Sequence, residues 1–359
     1  KFATKDIAAA TADADKAIEL DPGLFDAHEL KADILLASGD PFWFGGGATL
    51  ARHLEPGEWR ALPGPSTFGR AAARLGWPLE AVTCLGLHAR PLARVRPHLA
   101  PGVRLLLLVR DGAAVAELAA RVTVLGFGES RLTVLEALGG PRERVRHLRA
   151  ADPVPGDIAH PVAVALEPAG PGPALPRAAG LPDAVFAHDG ALTKRPVRAL
   201  TLSALAPRPG ERLWDIGAGS GSVGIEWLLA DPSTEAVALE ARPDRAARLR
   251  ANADALGADR LVLVEGRAPE ALAGLPAPQA VFIGGGLSEA LLAALWACLA
   301  PGTRVVANAV TLESEALLAL WHGRAGGSLL RIALSEAAPL GPSRGWRAAY
   351  PIVQWSVTR

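Results

Sequence analysis

The sequence predicts an α/β protein of two domains. Strand-length apolar runs alternate with helix-length segments through most of the 359 residues. Prolines crowd positions 168–182, and a strand runs through Asp215-Ile216-Gly217-Ala218-Gly219-Ser220-Gly221 into a helix. Alternation of this kind marks sheets covered by helices. A chain this long also exceeds one ordinary domain.

Composition excludes several classes. Half the residues are hydrophobic and 21% are charged, which is globular rather than disordered. Thirty-seven basic residues balance 37 acidic ones, so nothing points to a generic nucleic-acid binder. Cys84 and Cys298 stand far apart, giving neither a disulfide framework nor metal-ligand spacing; no metal is expected. No apolar run reaches the roughly 18 residues of a membrane span, and no signal-peptide pattern opens the sequence, so cytoplasm is the expected location.

Residues 1–36 read as helical and differ in texture. Lys1, Lys5, Lys16 and Lys31 lie here, only Lys194 follows, and no arginine precedes Arg52. The run from Ala12 to Pro22 and the run from Phe25 to Ala32 resemble helices of a tetratricopeptide repeat. Such a repeat needs about three copies to bury its apolar face. A helical extension or truncated neighbour is therefore favoured over an array that binds a protein partner. From Ile34 the pattern becomes α/β: a strand at 34–37, the loop Ser38-Gly39-Asp40-Pro41, and Gly45-Gly46-Gly47 leading into a helix that ends near His53. Strands are expected at 105–109, 131–135 and 160–166, with a helix at 115–122. A first α/β domain thus spans 37–168 and a semi-rigid linker 169–182. In 183–359, helices are expected at 197–205, 222–230 and 242–256. Strands are expected at 212–216, 236–240, 261–265, 280–283 and 303–308, and the tail 347–355 supplies a closing strand.

The glycine loop after Ile216 carries the sharpest chemical signal. Glycines at a strand-to-helix turn let the backbone bend tightly and approach a ligand. Gly219-Ser220-Gly221-Ser222-Val223-Gly224 also fits G-x-G-x-x-G, which by itself proposes NAD. Asp215 decides otherwise, because a carboxylate there opposes a pyrophosphate at short range. It suits the cationic S-adenosylmethionine. Glu240, at the end of the next strand, is placed to accept hydrogen bonds from ribose hydroxyls. Glu265-Gly266-Arg267-Ala268 follows the third strand, where an adenine edge belongs, so Gly266 and Ala268 join Thr193, Asp215, Gly217, Gly219, Gly221, Ser222 and Glu240 as expected cofactor contacts.

The run from His188 to Arg195, the run from Leu213 to Val223, Phe282-Ile283-Gly284-Gly285-Gly286 and Pro351-Ile352-Val353-Gln354-Trp355 resemble the C-terminal half of the precorrin-6Y C5,15-methyltransferase (decarboxylating) family of cobalamin biosynthesis. Ala37 to Gly45, Pro63-Gly64-Pro65-Ser66, Leu87-His88-Ala89-Arg90-Pro91, Gly126-Phe127-Gly128 and Leu135 to Pro141 resemble its other half, a tetrapyrrole methylase. The resemblance implies a partial tetrapyrrole-methylase domain followed by a Rossmann-like, doubly wound class I methyltransferase domain. It implies methylation of precorrin-6B at C15 and C5 and loss of CO2 from the C12 acetate, giving precorrin-8X, in a homo-oligomer that binds no nucleic acid or membrane. Gly39, Asp40 and Pro41 are implied in a second S-adenosylmethionine cleft.

The substrate carries many carboxylates, so Lys194, Arg195 and Arg198 are expected to pair with them. Gly284, Gly285 and Gly286 are expected to lie flat under a macrocycle, and His88 and Arg90 to serve the acceptor in the first domain. His188, Asp189 and Lys194 are the candidates for orienting the substrate or moving a proton. The family's first domain opens with a strand and a glycine loop, for which residues 1–33 offer no equivalent. The expectation is therefore C15 methylation with decarboxylation and scarcely any C5 methylation, unless the helical segment closes that pocket in another way. Two alternatives stay open: activity in the C-terminal domain alone, and a tetrapyrrole-binding scaffold without turnover.

Overall fold

A leucine run, Leu105–Leu108, and the apolar Val162–Glu167 lie at the middle of one sheet; Arg212–Ile216 and Ala280–Ile283 lie at the middle of another. The computed structural model describes residues 39–359 except 46, 56, 58–60 and 62. The tetratricopeptide-like segment and the strand expected at 34–37 lie outside the described residues. Two compact units divide the chain: one runs through Arg90 and from His98 to Pro173, the other holds Pro91–Pro97 and Ala174–Arg359.

In the first unit, β1 (Thr83–Gly86), β2 (Leu105–Leu108), β3 (Arg131–Glu136), β4 (Arg144–Arg149) and β5 (Val162–Glu167) form a sheet of order β1-β2-β5-β3-β4. Only β1 and β2 run parallel. The helix expected to end near His53 is a single turn, α1 (Gly47–Leu50). Helix α2 (Thr67–Leu75) starts where the Ser66 hydroxyl accepts the Gly69 N–H at 3.0 Å, and α3 (Gly112–Val122) where Asp111 accepts from Ala114 at 2.8 Å. Such caps satisfy N–H groups that the first helical turn leaves open. Strand β4 is not legible in the sequence, since Arg144-Val145-Arg146-His147 carries too much charge. It is held by the buried Glu136 carboxylate, which accepts from Arg144 (2.7 Å), Arg146 (3.0 Å) and the Ala159 N–H (2.7 Å).

The second unit holds α4 (Arg195–Leu205), β6 (Arg212–Ile216), α5 (Ser222–Ala230), β7 (Glu235–Glu240), α6 (Pro243–Leu256), β8 (Leu261–Glu265), β9 (Ala280–Ile283), α7 (Glu289–Cys298), β10 (Arg304–Ala309) and α8 (Leu312–Ala325). Strands β11 (Ser328–Ile332), β12 (Ser335–Leu340), β13 (Ser343–Ala348) and β14 (Ile352–Thr358) follow. The sheet order is β11-β14-β10-β9-β6-β7-β8. From β8 to β10 all neighbours are parallel, and β14 is antiparallel to both β10 and β11. Because side chains alternate along each strand, Trp214 and Ile216 enter a core with Leu291, Leu295, Trp321 and Trp355, while Leu213 faces Leu202, Ile225 and Trp227 on the other side. This is the doubly wound sheet that the alternation predicts.

The closing strand is real but begins later than expected, at Ile352, because Pro351 has no N–H to give a ladder. Residues 343–348 instead pair with β12 in a two-stranded ribbon, where Trp346 is 79% exposed. The proline-rich stretch is docked at both ends rather than free. Ala169 N–H bonds Ser130 in the first unit, and Gly180 and Leu181 N–H groups bond the Glu226 carboxylate in the second.

Candidate functional site: a cleft at the strand ends of the second unit

The chain leaves β6 to build β7 and β8 on one side, then returns to build β9 and β10 on the other. The connections that follow β6 and β9 therefore lead to opposite sides of the strand order, and ligands bind in the crevice such a switch point leaves. A cleft of about 660 Å³ opens there, lined among others by Thr193, Lys194, Gly217, Gly219, Glu240 and Gly285.

Gly217 and Gly219 both have positive φ, at +68° and +58°. A Cβ on Gly217 would stand 2.6 Å from the Gly285 Cα, so the two loops touch backbone to backbone. A Cβ on Gly219 would meet only the Ala191 carbonyl, at 3.7 Å, leaving this turn open to the cleft. The Glu240 carboxylate accepts the Gly219 N–H and the Arg242 N–H, both at 2.9 Å. It is thereby fixed at the end of β7, facing the cleft, with lone pairs to spare. Gly266 and Ala268 line the cleft after β8, and Ser222 lines it at the start of α5. Gly284, Gly285 and Gly286 line the cleft beyond β9, and the Gly284 N–H bonds the Ile216 carbonyl at 2.9 Å.

Several expected residues lie elsewhere. Asp215 does not reach the cleft. It is buried beneath the loop, where Oδ2 accepts the Gly224 N–H at 2.9 Å and Oδ1 has no hydrogen-bond partner among the described residues. Arg198 is the clearest correction. Its side chain is 0% exposed, and it bonds Glu226 at 2.5 Å, Asp183 at 3.0 Å and the carbonyls of Thr193 and Leu181. Phe186 packs against the guanidinium, 4.9 Å from ring centroid to its carbon. Arg198 therefore cannot receive a substrate; it ties α4 and the Thr193 backbone to α5. Arg195 is exposed at the start of α4 and does not line the cleft.

His188 and Asp189 also lie off the cleft lining. The His188 Nδ1 accepts the Gly190 N–H at 3.1 Å. Asp189 accepts from Arg245 at 2.9 Å and from the Ala191 N–H at 3.0 Å. Those donors hold its carboxyl far below the usual range, which unsuits it to carry a proton near neutrality. Asp189 instead anchors Arg245, a cleft-lining residue that sequence reasoning missed. Ser288, Asn308, Val310 and Ile352 were missed as well. Gly39, Asp40, Pro41, His88 and Arg90 belong to the first unit. There Asp40 accepts the Phe42 N–H at 2.9 Å, and His88 and Arg90 are exposed beyond the end of β1.

Residues 184–359 match a model described as a precorrin methyltransferase domain, and residues 7–153 one described as tetrapyrrole (corrin/porphyrin) methylases. A precorrin-6Y C(5,15)-methyltransferase [decarboxylating] of Sinorhizobium is 55% identical over 330 residues, covering 91% of this chain and 80% of that protein. The chain belongs to the precorrin-6Y C5,15-methyltransferase (decarboxylating) family. A Mycobacterium tuberculosis protein of the same name is 41% identical across 90% of the chain and 82% of its own length. A cobalt-precorrin-6B C(15)-methyltransferase (decarboxylating) of Salmonella typhimurium is 33% identical over 166 residues, 45% of the chain and 85% of that protein. The C-terminal domain of precorrin-6Y C5,15-methyltransferase from Rhodobacter capsulatus superposes with a TM-score of 0.50 at 57% identity, covering 52% of this chain and all of that one. The second unit of this family member has the class I methyltransferase fold that its strand order describes.

Burial pushes the Asp215 carboxyl up to about 7, the Glu240 charge adds to the rise, and the Gly224 N–H opposes it. An unfolded Asp titrates near 3.8. The folded state thus binds the proton more tightly, so this group's stabilisation is complete below about pH 4 and is lost as pH climbs through about 7. Each tenfold gain in proton affinity is worth about 1.4 kcal/mol, which bounds the whole effect at ~4 kcal/mol. Asp215→Asn removes the titration. The difference in Tm between variant and wild type should move in the variant's favour from pH 5 to pH 8; a difference flat with pH would show that Asp215 does not titrate in this window.

Proposed function

We propose that the cleft of the second unit binds S-adenosylmethionine, and that this unit methylates precorrin-6B at C15 while the C12 acetate side chain loses its carboxylate as CO2 and takes up a proton to become a methyl group. The observation that carries this reading is Glu240, a buried carboxylate locked onto the Gly219 N–H at a turn left open to the cleft. Such an acid suits a ribose diol. When bound, S-adenosylmethionine supplies an electrophilic methyl group.

Glu240 holds the ribose, Gly217 and Gly219 let the ligand lie against backbone, and Gly266 and Ala268 flank the adenine. Gly284, Gly285 and Gly286 give the flat macrocycle a wall without side chains. The work of these residues is to keep donor and acceptor at a near-attack distance, roughly 3–3.5 Å, and to keep water out. Electrons released by decarboxylation pass into the conjugated ring of the substrate. The loop Gly39-Asp40-Pro41, with His88 and Arg90, is the candidate site for the scant C5 methylation expected of the first unit.

Lys194 lines the cleft where α4 begins and offers a cation to a substrate carboxylate. Lys194→Ala should raise the acceptor's KM about tenfold and leave the S-adenosylmethionine Kd unchanged; equal loss of both would place Lys194 in the cofactor pocket. The reading as a whole is tested by mass spectrometry of the protein incubated with S-adenosylmethionine and precorrin-6B. One added methyl with loss of CO2 supports the second unit's role, two added methyls extend the activity to the first unit, and no mass change overturns the proposal.

A further inference from the structure

At the carboxyl end of β10, Asn308 stands opposite Gln354 of β14 in the sheet register. Its Oδ1 accepts a hydrogen bond from the Gln354 Nε2 at 2.9 Å, and its Nδ2 donates to the Thr201 hydroxyl at 3.0 Å. The Gln354 Nε2 also donates to Thr201, at 3.0 Å. Thr201 and Gln354 are both buried, whereas Asn308 lines the cleft. The carbonyl side of the Asn308 amide is thus occupied and its orientation fixed. Its second N–H has no protein partner among the described residues, and a primary amide has two donors to satisfy.

Strand order says which ligand that N–H meets. Three sheet spacings of about 4.8 Å, roughly 14 Å, separate β10 from β7 and its Glu240. Asn308 therefore belongs to the far half of the cleft, with Gly284–Gly286 and Ile352, and on the side of α4 that carries Lys194. A locked N–H that can only donate recognises an acceptor oxygen. We infer that Asn308 binds a carboxylate of the tetrapyrrole, and that Gln354 and Thr201 are positioning residues that keep its N–H, rather than its carbonyl, turned to the substrate. This rests on the assignment of the near half of the cleft to S-adenosylmethionine.

The test measures binding and turnover separately in the full chain. Precorrin-6B is titrated by its own absorbance, S-adenosylmethionine by calorimetry, and turnover is followed by product mass. Asn308→Ala should weaken precorrin-6B binding about ten- to hundredfold, the scale of a hydrogen bond to a charged group, while the S-adenosylmethionine Kd stays within twofold. Asn308→Asp should weaken it further by setting like charges together. Gln354→Glu removes the donor that holds the Asn308 carbonyl and reverses the amide. It should raise the acceptor's KM as Asn308→Ala does, with kcat less affected, although Gln354 does not line the cleft. Intact S-adenosylmethionine affinity certifies the fold of each variant, and Asn308→Ser replaces Asn308→Ala if the latter does not fold. Unchanged precorrin-6B affinity in the Asn308 variants, or equal loss of both ligands, overturns the inference. A wild type that binds both ligands without turning over overturns the proposed function instead and leaves the binding comparison to decide on Asn308.

Discussion

Arg198→Ala should cost the second unit about 3–5 kcal/mol, the range for removing one partner of a buried ion pair. The guanidinium serves two carboxylates and two carbonyls at once. Its removal leaves the buried Glu226 carboxyl with only the Gly180 and Leu181 N–H groups among the described residues, and strips the Thr193 and Leu181 carbonyls of a donor. In a domain of this size each kcal/mol moves Tm by about 2–4 °C, so the midpoint should fall by on the order of 10 °C. Arg198→Lys should recover little, because an ammonium cannot reproduce the planar fork. Thr193 and Lys194 lie directly before α4, so the variant should also loosen that wall of the cleft. Differential scanning calorimetry decides the matter. An unchanged Tm together with a raised acceptor KM would return Arg198 to the role of substrate contact.

The contrast between Arg198 and Glu240 shows where sequence reasoning reached and where it stopped. The place of Glu240 at the cleft was legible because it follows from local order: a glycine turn after one parallel strand, and an acid at the end of the next. The strands β6 to β10 were legible for the same reason, each being a short apolar run between turns. Arg198 looked like part of a basic segment with Lys194 and Arg195. Yet positions 198, 201, 202 and 205 form one helical stripe, and all four are buried. An arginine on that stripe was the available signal for a structural role. Its partners Asp183 and Glu226 lie 15 and 28 residues away, where no local pattern joins them. Asn308 was hidden similarly, since its meaning depends on a register with Gln354 that only the sheet provides. Asp215 was placed correctly at the strand end, but alternation along β6 turns it beneath the loop rather than into the cleft.

Glu240→Ala should weaken S-adenosylmethionine binding by about 1.5–3 kcal/mol for the lost charged hydrogen bonds to the ribose. The structure adds a second contribution that sequence alone did not contain. The same carboxylate holds the Gly219 and Arg242 N–H groups, so its loss also frees the turn over which the ligand lies. Looseness in that turn lowers affinity further, since ordering it again on binding has an entropic cost. Glu240→Gln separates the two contributions. Its amide oxygen can still accept from one of the two N–H groups, but it no longer offers a second anionic oxygen to a diol. It should therefore retain the Tm of the wild type more closely than Glu240→Ala while losing about tenfold or more in affinity. Calorimetric titration with S-adenosylmethionine, paired with thermal unfolding of the ligand-free protein, measures both. Undiminished affinity in Glu240→Ala would refute the ribose assignment, and NAD binding to the wild type would refute the cofactor.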